Sequence, residues 1–182
     1  SRVEDVVRRL KELNDENSED SRRVLEKLKD EVRKNSDEIE KAAEELKEKL
    51  TRLKRLIEGG VDEETVRRVL EEIRKDLEDL LRRSKESVER IKRELEKSLK
   101  RSEESLRKSD EDLKRLLDES RDVKEVKELV KRVRETSKKS LKEDEDMVRE
   151  VKKKLDDSLR RVDELVRRVE EEARRVLEEV KK

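Results

Sequence analysis

The chain has 182 residues, 54 Lys+Arg against 54 Asp+Glu, and therefore a formal net charge of zero, with 59% of its positions charged and 29% apolar. His, Cys, Pro, Gln and all three aromatic residues are missing. That composition excludes disulfides, thiolate nucleophiles, Cys-based metal sites and the usual general base near pH 7, so the expectation is no enzyme, no cofactor and no metal.

A chain this polar resembles a disordered one, but disorder also calls for an excess of one charge sign. Here the apolar residues recur every third or fourth position, the mark of helices that bury one stripe. The first segment predicts a helix over about 2–58 along Val3, Val6/Val7, Leu10, Asn14, Asn17, Ser21, Val24, Leu28, Val32, Asn35, Ile39, Ala42, Leu46, Leu50, Leu53 and Ile57. Ser1 with Glu4 has the spacing of a capping box. Gly59-Gly60, the chain's only glycines, suit the left-handed residue that ends a helix.

The second helix is expected over about 62–118. Asp62 suits an N-cap, Glu63 and Glu64 suit the positive end of the helix dipole, and Val61 and Val66 have staple spacing. Its stripe runs from Val66 to Leu116 and is broken by Ser84, Ser98, Ser102, Ser105 and Ser109. A third helix, about 122–181, follows a turn near Ser120, with Asp122 and Glu125 as a second capping box. Its stripe runs from Val123 to Val180 through Ser137, Asp144 and Ser158.

Each helix would be about 85–90 Å long at 1.5 Å per residue. Equal lengths and short connections predict an all-α, antiparallel up-down-up three-helix bundle, coiled-coil-like, with 1–182 as a single domain. The 29% apolar content matches the roughly two-in-seven fraction of a coiled-coil seam. Good helix formers, few loops and i,i+4 acid–base pairs predict a reversible melt above roughly 80 °C.

The polar interruptions test this topology. If both turns fold the chain back, residue i of the first helix lies near 120 − i and 120 + i of the others. Asn14, Asn17, Ser18 and Ser21 then map to 99–106, which holds Ser102 and Ser105 with Ser98 and Ser109 just outside, and to 134–141, which holds Thr136, Ser137 and Ser140 with Asp144 slightly beyond the edge. Asn35 and Ser36 meet Ser84, Ser87 and Ser158. Two buried, hydrogen-bonded layers are therefore expected. An unpaired buried amide or hydroxyl costs roughly 1–3 kcal/mol, so a slipped register is penalised at several groups at once.

Other candidate chemistry reads more simply as surface. Ser137 and Lys138 are adjacent, so on a helix they point apart and do not form a Ser-Lys pair. The run Lys142-Glu143-Asp144-Glu145-Asp146 lies on a helix without the Gly-turned loop of a calcium site. Lys138-Lys139 and Lys152-Lys153-Lys154 are interleaved with acids and have no aromatic to stack a base, which excludes nucleic acid as the expected partner. No Lys-Ser/Thr follows Gly59-Gly60, so there is no phosphate loop. No apolar run approaches the roughly 18 residues of a membrane span, and Ser1–Leu10 does not read as a signal peptide.

The 13-letter alphabet, the surface pattern of Val66-Arg67-Arg68-Val69-Leu70-Glu71-Glu72, the capping boxes and the co-layered Asn and Ser together resemble computationally designed helical bundles with buried hydrogen-bond networks. Spectrin-type repeats share the topology but normally carry aromatics and Gln. The resemblance implies a structural scaffold with no natural activity, soluble and cytoplasmic on recombinant expression, a monomer requiring no partner. The alternative is a binding module. Doublets such as Val6-Val7, Val24-Leu25, Ala42-Ala43, Leu80-Leu81 and Leu165-Val166 widen the stripe, which would suit an apolar groove for a fourth helix. A helix running through Ser120 would instead allow a domain-swapped dimer.

Overall fold

The computed structural model describes residues 2–119 and 124–181. Three helices account for nearly all of them: α1 Arg2–Glu58, α2 Glu63–Glu119 and α3 Lys124–Lys181. The Ser1–Glu4 and Asp122–Glu125 capping boxes, Val123 and the turn expected near Ser120 lie outside the described residues.

The first connection follows from its sequence. Gly60 has φ 92°, the left-handed region that residues with a Cβ avoid. Its amide donates to the Ile57 carbonyl at 3.1 Å, and the Val61 amide donates to Leu56 at 3.1 Å, the paired bonds of a Schellman termination. Asp62 then caps α2 by accepting from the Thr65 amide at 3.2 Å. The hydrogen bonds from Thr65 hold the Asp62 carboxyl below its ordinary pKa. Val61 and Val66 both join the apolar cluster built on Leu53, Val66 and Val176, as a hydrophobic staple requires.

Two compact units divide the chain: Ser1–Asp30 with Lys92–Lys152, and Glu31–Ile91 with Lys153–Lys182. Each takes a stretch from all three helices. In the first unit Val7, Leu113, Val126, Val130 and Val133 form an apolar cluster, flanked by Leu10, Leu116 and Leu117. In the second, Leu46, Leu50, Ile73, Leu77 and Val169 pack together.

The direction of the helices is fixed by pairs within the first unit. Asn17 and Ser21 of α1 meet Ser105 and Ser102 of α2, numbers that run oppositely. Asn14, Ser18 and Ser21 meet Ser137, Ser140 and Asp144 of α3, numbers that rise together. The order is up-down-up, and the fold is an antiparallel three-helix bundle.

At two doublets of the expected stripe the neighbouring residue is the one inside. Val24 is 38% exposed while Leu25 is 1% exposed, and Ala43 is buried where Ala42 is only half-buried. Adjacent helical positions are about 100° apart, so a stripe that steps by four at these points still keeps one face. At 24–25 that step puts the larger side chain inside.

Candidate functional site

The polar residues of the first unit converge on one level. Asn14 Nδ2 donates to Ser137 Oγ, and Ser137 in turn donates to the Val133 carbonyl one turn back at 2.8 Å. Asn17 Nδ2 donates to Ser105 Oγ at 2.6 Å. The Ser18 and Ser140 hydroxyls lie 2.9 Å apart, as do those of Ser21 and Ser102. Ser21 also donates to Asp144 Oδ2 at 3.1 Å, and Ser102 reaches the Ser98 carbonyl at 3.2 Å. One helix is thereby tied to both others within two turns of its length.

Side chains this short reach across only where the backbones approach closely, and the absence of a large residue at these positions permits it. Ser98, Ser137 and Asp144 are buried; Asn14, Ser18, Ser21, Ser102 and Ser105 are half-buried; Asn17 is exposed. Thr136 is exposed and lines a surface groove beside Asn14. It sits next to Ser137, and a neighbouring helical position points about 100° away.

Asp144 is the one buried carboxyl of the layer, only 7% exposed. Burial pushes its pKa above the ordinary carboxylate value, against the opposing hydrogen bonds from Ser21 and Ser102 and the nearby charge of Arg22; Glu143 adds to the rise. Hydroxyl donors on two helices compensate the buried oxygen atoms in part.

The second group is placed differently. Ser84 and Ser158 are buried, and Asn35, Ser36 and Ser87 are half-buried. Among the described residues no hydrogen bond joins these five. Asn35 Nδ2 is buried without a partner, and so is Ser109 Oγ in the first unit. This corrects the expectation of a second hydrogen-bonded layer. Serine's short side chain is held close to its own helix, and Asn35 alone does not bridge the gap.

One interaction carried no signal in the sequence. Arg134 Nε donates to Asp110 Oδ1 at 2.5 Å from α3 to α2, and Lys114 lies 3.5 Å from the same carboxylate. Burial raises the Asp110 pKa, but the Arg134 hydrogen bond and charge, joined by Lys114, outweigh it and hold the carboxyl below its ordinary value. In a chain that is 59% charged, the pattern of letters does not single out one pair.

Chemically the arrangement binds helices to one another. Among the described residues no cluster of His, Cys, Asp or Glu is fit to hold a metal ion, and no helix is long and apolar enough to cross a membrane. Fold and layer together define a class, the antiparallel three-helix bundle with an internal polar layer. A solved structure described as a "Computationally designed three helix bundle" is similar to this chain, with a TM-score of 0.54 and 17% identity over 98% of this chain and 86% of that one. No protein-family model and no curated protein matches the sequence.

Proposed function

We propose that the chain is a designed, non-enzymatic structural scaffold, folding as one domain and acting as a monomer, whose Asn/Ser/Asp layer fixes helix register and pairing. The observation that supports this most is the set of cross-helix bonds from Asn14, Asn17, Ser18 and Ser21, which reach α2 and α3 at one level. Apolar side chains pack almost equally well after a slip, whereas these donors and acceptors do not. The likeness to a designed bundle and the restricted alphabet agree with that origin.

The test replaces the centre of the layer with apolar residues, as the triple variant Ser21→Leu, Ser102→Leu and Asp144→Leu. The parent gives a single set of amide resonances, and the variant remains helical but shows several sets from coexisting registers. A variant with one set and the parent's inter-helix contacts would remove the register role. Light scattering checks the oligomeric state, with a mass of 21.9 kDa expected. A doubled mass would replace the monomer with a swapped dimer.

A second reading draws on one feature of the second unit. A groove of about 490 Å³ between α2 and α3 has Leu70, Ile73, Leu77, Ala173 and Leu177 among its lining residues, with Arg67, Arg74 and Glu170 beside them. That is the chemistry a fourth amphipathic helix recognises. Titration with a Leu-rich helical peptide distinguishes the two readings, since a pure scaffold shows no saturable rise in melting temperature.

A further inference from the structure

The polar layer lines a small half-open cavity of about 20 Å³, with Asn14, Asn17, Ser102, Ser105, Ser137 and Asp144 among its walls and the exposed Asn17 at its mouth. A buried site needs about 10–15 Å³ and two to four polar partners to hold a water molecule. The space therefore admits one water and little else.

The hydrogen-bond count says what the occupant must do. Asn14 and Asn17 spend amide donors on Ser137 and Ser105, and among the described residues no side chain donates to either amide carbonyl. Ser137 has given its only proton to Val133. Asp144 accepts from Ser21, and Ser102 has a single proton for Asp144, Ser21 or the Ser98 carbonyl, so a carboxylate with about four lone-pair sites keeps some of them free. Donors remain as well, since each amide has a second N–H, Ser105 keeps its own proton and so does one of Ser18 and Ser140, so the walls suit a guest that both donates and accepts, as water does. Hard divalent cations take six or more oxygen ligands, usually with several carboxylates, and Asp144 is the only carboxylate lining the cavity.

We propose that this cavity is a binding site for a single water molecule, which donates to the Asp144 carboxylate and to an amide carbonyl of Asn14 or Asn17. The inference rests on the same layer as the register reading but requires more of it.

A crystal structure of the full chain at about 1.3 Å, paired with oxygen-17 relaxation dispersion in solution, tests the site. The expected result is a fully occupied water within about 3.2 Å of Asp144 and one of those carbonyls. In solution it appears as one long-lived water per chain, lost in the cavity-filling variant Ser105→Val with helicity intact. Side chains closed directly on one another, a metal ion in the density, or no long-lived water in the parent would overturn the proposal. Should Ser105→Val unfold, the parent's two measurements decide alone. A dry layer with its cross-helix pairs intact ends only the water site; a layer whose pairs are dispersed ends the register reading as well.

Discussion

Ser21 Oγ stands between two helices, 2.9 Å from Ser102 Oγ and 3.1 Å from Asp144 Oδ2. One hydroxyl has one proton, so when Ser21 donates to Asp144 it accepts from Ser102 in the rotamer that turns the Ser102 proton away from the Ser98 carbonyl, and the three side chains then form a directed chain ending at the carboxylate. The buried charge at the end of that chain governs how the layer responds to pH.

Because burial raises the Asp144 pKa in the folded protein, protonation favours the folded state. Its contribution is fully present below the unfolded carboxylate pKa of about 3.9 and is lost as pH rises through the higher folded value. Asp144→Asn is neutral at every pH and nearly the same shape. The variant is therefore expected to be more stable than the parent at pH 7, with the difference vanishing below about pH 3.5. Urea denaturation across pH 2.5–8 measures it, and a variant less stable at neutral pH would reverse the assignment.

Asp110 has the opposite sign. Arg134 and Lys114 lower its folded pKa despite burial, so its contribution is present above the unfolded value and fades as pH falls through the folded one. Asp110→Asn is expected to destabilise the protein at pH 7 and to match the parent at low pH. The two difference curves, plotted together, should slope in opposite directions.

Asn35 Nδ2 is buried without a partner, a loss of about 1–3 kcal/mol by comparison with other orphaned polar groups. Asn35→Leu removes that group on a face beside Val32 and Ile39, both buried. The melting temperature should rise. A fall would mean that the amide finds a partner in solution.

Leu53 and Leu56 are three residues apart on α1, yet Leu53 is 0% exposed and Leu56 is 47% exposed. Leu53→Ala should cost about 2–5 kcal/mol, and Leu56→Ala should change stability by less than about 0.5 kcal/mol. Chemical denaturation of the pair checks whether the core lies where the packing places it.

Much of this was readable beforehand. Periodicity predicts helices over about 2–58, 62–118 and 122–181, and the structure has Arg2–Glu58, Glu63–Glu119 and Lys124–Lys181. Folding the numbers about the two turns brought the polar residues to one height with a small offset: Asn17 meets Ser105 rather than position 103, and Asn14 meets Ser137 rather than 134. The connection from Glu58 to Glu63 has its midpoint just beyond position 60, which accounts for about half of the shift to Ser105; the shift to Ser137 does not come from that connection. What periodicity cannot resolve is rotation by one residue, since 3.6 residues per turn lets either member of Val24-Leu25 continue the stripe. Nor does it measure reach, which is why Ser84, Ser87 and Ser158 can share an expected height with Asn35 and still leave its Nδ2 unpaired.

The turn between α1 and α2 uses its two glycines unequally. A Cβ at Gly59 would stand 3.5 Å from the Leu56 carbonyl oxygen and 3.6 Å from that of Arg55, ordinary contact, while Gly60 alone has a positive φ. Alanine at 59 would therefore cost no strain and would restrict the unfolded chain. The hand of the reversal thus rests on a single achiral centre, and the molecule could be rewritten with one glycine and still turn the same way.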